Sequence, residues 1–143
     1  MKPAYDAIVI GGGPSGATAA ALLAQAGWRI ALIEKTPFPR RKVCGEFISG
    51  TTWPLLRQLG IADSLREIAG PVVRRIGVYA GDAMVSTELS APTERADEGG
   101  RAVGREHLDT LLLQRAARLG ADIWQPWTLS GRAANGGGYD CTL

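Results

Sequence analysis

Three glycines, Gly11, Gly13 and Gly16, are spaced G-x-G-x-x-G between an apolar run (Ala7, Ile8, Val9, Ile10) and an alanine- and leucine-rich stretch over residues 14–26. The run is continuous rather than alternating, the pattern of a parallel strand buried on both faces. The stretch that follows has the composition of a helix. Gly27 stands where that helix must end, at the position that favours a left-handed backbone. A second apolar run over residues 28–33 then reads as the next strand. A bare three-glycine match is a weak signal. Placed between strand and helix inside one βαβ unit, residues 5–34, it becomes a dinucleotide-binding fingerprint.

Each position has a physical task. Gly11 permits the tight turn, Gly13 lets the backbone approach a pyrophosphate, and Gly16 lets helix and strand pack closely. Pro14 and Ser15 open the helix and are expected to bring free backbone N–H groups and the positive end of its dipole to the phosphates. Glu34, about 20 residues further on at the end of the second strand, is placed to accept both hydroxyls of an adenosine ribose and to repel a 2′-phosphate. The competing reading is a ligand-free glycine turn with a capping or solvated glutamate. A P-loop would require Lys-Ser or Lys-Thr after Gly16, where Ala17 and Thr18 stand, and no G-x-S-x-G nucleophile elbow is present.

Beyond the βαβ unit the pattern changes. Residues 36–50, with Pro37, Pro39 and the basic Arg40-Arg41-Lys42, show no periodicity and read as an ordered loop. Two short helices follow. Thr52 caps the first, which carries Leu55, Leu56 and Leu59 on one face and stops at Gly60; Asp63 opens the second, with Leu65 and Ile68. Residues 72–89 read as a hairpin turning at Ala80-Gly81-Asp82, and the polar, acidic residues 91–101 as a surface loop. From Arg105 a helical period returns, with Leu108, Leu111, Leu112, Ala116 and Leu119 on one face and Gly120 as the stop. A short strand over 121–124 precedes two strands joined at Asn135-Gly136-Gly137-Gly138. The last of these has no closing element, so the chain reads as truncated.

At 143 residues the chain has room for one ordinary domain. Its 45% hydrophobic and 21% charged residues are those of a globular protein. A charge of +2 with scattered basic residues gives no nucleic-acid footprint. Two distant cysteines and one histidine do not make a zinc site, so no metal is expected. There is no apolar run of membrane-spanning length and no signal-peptide pattern at the start, which points to the cytoplasm. Trp53, Trp124 and Trp127 read as core or sheet-edge residues, His107 as exposed, and Cys44 as a small loop residue rather than a redox thiol.

The segments GGGPSGATAAALLAQAGWRIALIEK, PFPRRKVCGEFIS and VGREHLDTLLLQRAARLGA together resemble the FAD-dependent oxidoreductases of the para-hydroxybenzoate hydroxylase type, and within them the geranylgeranyl-reductase and flavin-halogenase-like branch. The resemblance implies an α/β, Rossmann-like FAD-binding domain (GR2-type), incomplete, with the beginning of a β substrate-binding lobe. It divides the chain into residues 1–71 (βαβ and cofactor loop), 72–100 (excursion into the lobe) and 101–143 (return). It further implies FAD in the glycine site, with NADH or NADPH as transient electron donor and a small organic molecule, isoprenoid or aromatic, as substrate. Lys35, Arg41, Cys44, Gly45, Arg105 and Leu129 join Gly11, Gly13, Pro14, Ser15, Gly16 and Glu34 as implied cofactor contacts. No side chain stands out as a catalytic acid or base. No lysine follows Lys42, so the lysine that flavin halogenases use has no counterpart here. Two other readings stay open: a non-catalytic nucleotide-binding fragment, and an NAD-binding dehydrogenase domain, against which the loop after the second strand argues.

Overall fold

A computed structural model describes residues 4–44, 46–89, 95 and 97–143. In chain order its elements are β1 (Ala7–Ile10), α1 (Pro14–Gln25), β2 (Ile30–Ile33), β3 (Phe47–Ile48), a 3₁₀ turn (Gly50–Thr52), α2 (Trp53–Leu59), α3 (Ala62–Ile68), β4 (Arg75–Ala80), β5 (Ala83–Glu88), β6 (Arg101–Ala102), α4 (Arg105–Arg118), β7 (Asp122–Trp124), β8 (Gly131–Asn135) and β9 (Gly138–Thr142). They form two compact units, Met1–Arg40 with Leu108–Leu143, and Arg41–His107.

The first unit holds a parallel sheet in the order β1-β2-β7, with Ala7 opposite Ile30 and Ile10 opposite Ile33. β2, the middle strand, is buried along its whole length. β1 is apolar too, but among the described residues it has a neighbour on one side only, and Ile10 is 54% exposed. The two-sided burial read from its composition therefore holds for β2 and not for β1. α1 buries Ala17, Ala20, Ala21 and Ala24, one helical stripe of methyl groups. At its end the Gly27 N–H donates to Ala24 O (2.9 Å) and the Trp28 N–H to Leu23 O (3.1 Å), a Schellman closure with Gly27 at φ +87°. The closure uses residues that the sequence pattern would give to the elements on either side, so helix and strand end up shorter than expected. In α4 the buried residues are Asp109, Leu112, Leu113 and Ala116. The stripe is thus rotated from the expected one, and Leu108, Leu111 and Leu119 are only half-buried. β8 and β9 form the expected hairpin, turning at Gly136 (φ +51°).

In the second unit, β3 pairs antiparallel with β6. The loop reading of residues 36–50 misses β3 because two residues carry no periodicity and only the distant partner makes them a strand. Trp53 is fully buried, its indole N–H donating to Gly99 O at 3.0 Å, alongside Leu56, Leu59, Ile61 and Leu65. Leu55, expected on the same face, is 39% exposed, because the face turns toward Trp53. Ser49 rather than Thr52 accepts the N–H at the start of this helical stretch. Gly60 is left-handed, as a stop requires. The surface-loop reading of residues 91–101 is corrected where the structure describes them: Glu98 and Gly99 are buried, Glu98 completely, because arginines converge on it. Residues 90–94 and 96 lie outside the described residues. β4 and β5 pair in full register around Gly81 and Asp82, the expected hairpin, and both strands are exposed throughout.

Candidate functional site

At the end of β1 the Gly11 N–H donates to Ile33 O at 2.7 Å, and Gly11 adopts φ +101°, a conformation costly for any side chain. Gly13 is extended and caps α1, with Pro14 in its first turn. The first intrahelical bond runs from the Ala17 N–H to Gly13 O (2.9 Å). The N–H groups of Ser15 and Gly16 therefore have no intrahelical acceptor. Pro14 has no N–H to offer, so the expected donor role falls to Ser15 and Gly16. No acidic residue lies in the first turn of α1 to offset its positive end. Gly16 is required sterically: a Cβ there would overlap the carbonyl oxygen of Gly11 and meet Val9 Cγ1 at 3.3 Å.

Glu34 follows β2 and is tied on every side. Its own N–H donates to Trp124 O (2.9 Å), and its carbonyl accepts from the Trp127 N–H (3.0 Å). Oε2 accepts the Gly12 N–H at 2.7 Å and Oε1 the Thr36 N–H at 2.9 Å, with the residue 5% exposed. The strand-end acid is thus joined directly to the glycine loop. An ionised carboxylate has about four acceptor positions, so two backbone donors leave it capacity for ligand hydroxyls. Gly12, which the G-x-G-x-x-G template treats as arbitrary, is part of this arrangement. A Cβ on it would stand 3.3 Å from Glu34 Cβ. The run of three consecutive glycines was the available signal.

Two further charged residues complete the neighbourhood. Arg40 Nη2 lies 3.7 Å from Glu34 Oε2 and 4.0 Å from Asp109 Oδ2, and its guanidinium rests over the Phe38 ring at 4.9 Å from the centroid. The sequence pattern left Arg40 in an ordered basic loop and gave Asp109 no role. Asp109 is completely buried. Its signal was positional, since Asp109, Leu112, Leu113 and Ala116 recur at i, i+3, i+4 and i+7 and an acid holds the first core place.

Of the other expected contacts, Lys35 is exposed beside Glu34. Arg41 and Cys44, both exposed, and Arg105, half-buried as the first residue of α4, belong to the unit Arg41–His107. Gly45 lies outside the described residues. Leu129 lines a cavity of about 330 Å³ with Ile8, Ile10, Arg132 and Tyr139, between β1 and the β8–β9 hairpin. The start of β1 is pinned separately. Tyr5 donates to Asp122 Oδ2 (2.9 Å), and burial, then that bond, push its phenol above the usual 10.0. The Arg29 N–H, then its guanidinium, hold the Asp6 carboxyl below its usual value.

The site fits a dinucleotide. Phosphate oxygens would meet the Ser15 and Gly16 N–H groups at a helix end with no side-chain cap, and ribose hydroxyls would meet Glu34. Comparison with known proteins agrees. The family described as FAD binding domain matches residues 4–140. Conditioned medium factor receptor 1 of Dictyostelium discoideum is 32% identical over 131 residues, 87% of this chain and 26% of that protein. Digeranylgeranylglycerophospholipid reductase of Thermoplasma volcanium is 35% identical over 121 residues, 84% of this chain and 29% of that protein. The structure of the myxobacterial chondrochloren halogenase CndH, an FAD-dependent halogenase, superposes with TM-score 0.71 at 29% identity, covering 83% of this chain and 28% of that one. The chain spans less than a third of the length of each of these relatives. Among the described residues no helix is long and apolar enough to cross a membrane. The family match takes in nearly the whole sequence, so the chain belongs to the FAD-binding-domain family, whose cofactor is FAD.

Proposed function

We propose that this chain holds FAD for a flavin-dependent oxidoreductase, a reductase or monooxygenase acting on a small organic substrate of isoprenoid or aromatic type. The observation that carries the reading is the bond from the Gly12 N–H to Glu34 Oε2, which joins the glycine loop directly to the strand-end acid. The flavin, when bound, supplies the redox chemistry; the chain supplies position and electrostatics. In this assignment the Ser15 and Gly16 N–H groups bind the pyrophosphate, and Gly11 and Gly13 let it approach. Glu34 accepts from the adenosine ribose. Lys35 and Leu129, in the same unit, are assigned as further cofactor contacts, and NADH or NADPH delivers electrons in the cytoplasm. The reductase and halogenase relatives support the redox class.

The test is a visible spectrum. The purified chain is mixed with FAD, freed of excess and compared with Gly13→Asp, which puts a carboxylate where the pyrophosphate should lie. Stoichiometric flavin absorbance that is lost in the variant is expected. A folded wild-type chain that emerges colourless would overturn the assignment.

A further inference from the structure

Arg40 stands between two buried acids, and a single nitrogen, Nη2, makes both approaches, 3.7 Å to Glu34 and 4.0 Å to Asp109. Neither distance is a hydrogen bond; the contacts are charge against charge. The Arg40 side chain is 16% exposed, Asp109 not at all. Its Nε has no hydrogen-bond partner among the described residues. An arginine next to the strand-end position of a dinucleotide fold is the usual means of accommodating a 2′-phosphate. Here that guanidinium faces two carboxylates, which compete with a phosphate dianion for it.

We propose that Arg40, held from its far side by Asp109, is a positioning residue for Glu34 that keeps the acid directed at an unphosphorylated ribose. The inference rests on the ribose assignment made above. Two backbone N–H groups fix the carboxylate plane, and Arg40 offsets its charge where solvent is excluded, so that Glu34 stays against the glycine loop. Asp109 has the complementary task of occupying the guanidinium, which would otherwise be available to a 2′-phosphate.

The test titrates the full chain calorimetrically with ADP, 2′-deoxy-ADP and adenosine 2′,5′-bisphosphate. Wild type should prefer ADP to 2′-deoxy-ADP by about tenfold, the effect of one hydrogen bond to a charged group. Arg40→Met should bring that ratio toward one by weakening ADP while leaving 2′-deoxy-ADP nearly unchanged, a selectivity that general loosening of the fold would not produce. Asp109→Asn should raise affinity for the 2′,5′-bisphosphate relative to ADP. If Arg40→Met does not fold, Arg40→Lys, which keeps a cation but not the planar fork, should show a partial fall in the same ratio. An unchanged ratio in a folded Arg40 variant overturns the proposal and leaves the ribose assignment standing. A wild-type chain that binds ADP and 2′-deoxy-ADP equally, or binds neither, overturns the ribose assignment and the proposal with it.

Discussion

Each unit of this protein buries a glutamate, and the two are treated in opposite ways. Glu98 is surrounded by cations: it pairs with Arg57, and Arg66 Nη2 and Arg95 Nη1 each lie 3.8 Å from the same oxygen. Arg66 is shared with Asp63 and Asp97 and lies over the Trp53 ring. Glu34 receives two backbone N–H groups and one distant guanidinium that it shares with Asp109. A buried carboxylate matched by several cations is a structural knot, because desolvation is offset only when the charge is fully compensated. A buried carboxylate left short of cations, beside a helix start with no side-chain cap, retains acceptor capacity for a ligand. With the ribose role proposed for Glu34, the comparison separates an acid that holds a fold from one that serves a site.

Breaking the knot should have the largest effect. Glu98→Ala leaves its arginines without their common partner and should cost about 3 kcal/mol, the low end for a broken buried pair because the arginines are partly exposed and rehydrate; urea midpoints check it. Next is Gly16→Ala, whose Cβ would overlap a backbone oxygen that has no flexible end to yield. It should cost about 2 kcal/mol and abolish FAD retention, read by unfolding and by flavin absorbance. Glu34→Gln should then separate the two acids. One of the Gly12 and Thr36 donors loses its acceptor at a stability cost of about 1 kcal/mol, while ADP affinity falls about tenfold. A Glu34→Gln variant that loses stability as Glu98→Ala does, with ADP binding intact, would erase the distinction.

The smallest effect concerns Asp6, an exposed acid outside both clusters. Its carboxyl is held below its ordinary 3.8 by the Arg29 N–H first. A group whose folded value is depressed contributes stability that is present above the ordinary value and lost as pH falls through the folded one. Asp6→Asn should therefore lie slightly below wild type in urea midpoint at pH 7 and converge with it on titration into the acid range below 3.8. A gap that widens with acid would reverse the sign of the argument.

Much of the candidate site is legible in the sequence alone. The positions of Gly11, Gly13, Gly16 and Glu34 follow from local rules of turn, helix start and strand end, and those rules act over a few residues. Gly12 escaped because its role depends on Glu34 coming back to meet it from 22 residues along the chain. Asp109 and Glu98 escaped for a stronger reason. A charged residue in a helix or a polar loop reads as solvated by default, and only the arrival of a guanidinium from elsewhere makes its burial possible. The rotation of the α4 stripe belongs with these, since composition names the apolar residues but not which of them faces inward.

The chain's own sequence determined that a parallel βαβ unit would form with a glycine-rich turn at its centre, because hydrophobic period, glycine spacing and helix-end chemistry are written locally and agree with one another. Tertiary structure alone decided which of the two apolar strands became the sheet's interior, and which acids were buried with which arginines. These are properties of residues far apart in the chain, and their energies exist only once desolvation and charge compensation happen together in the folded protein.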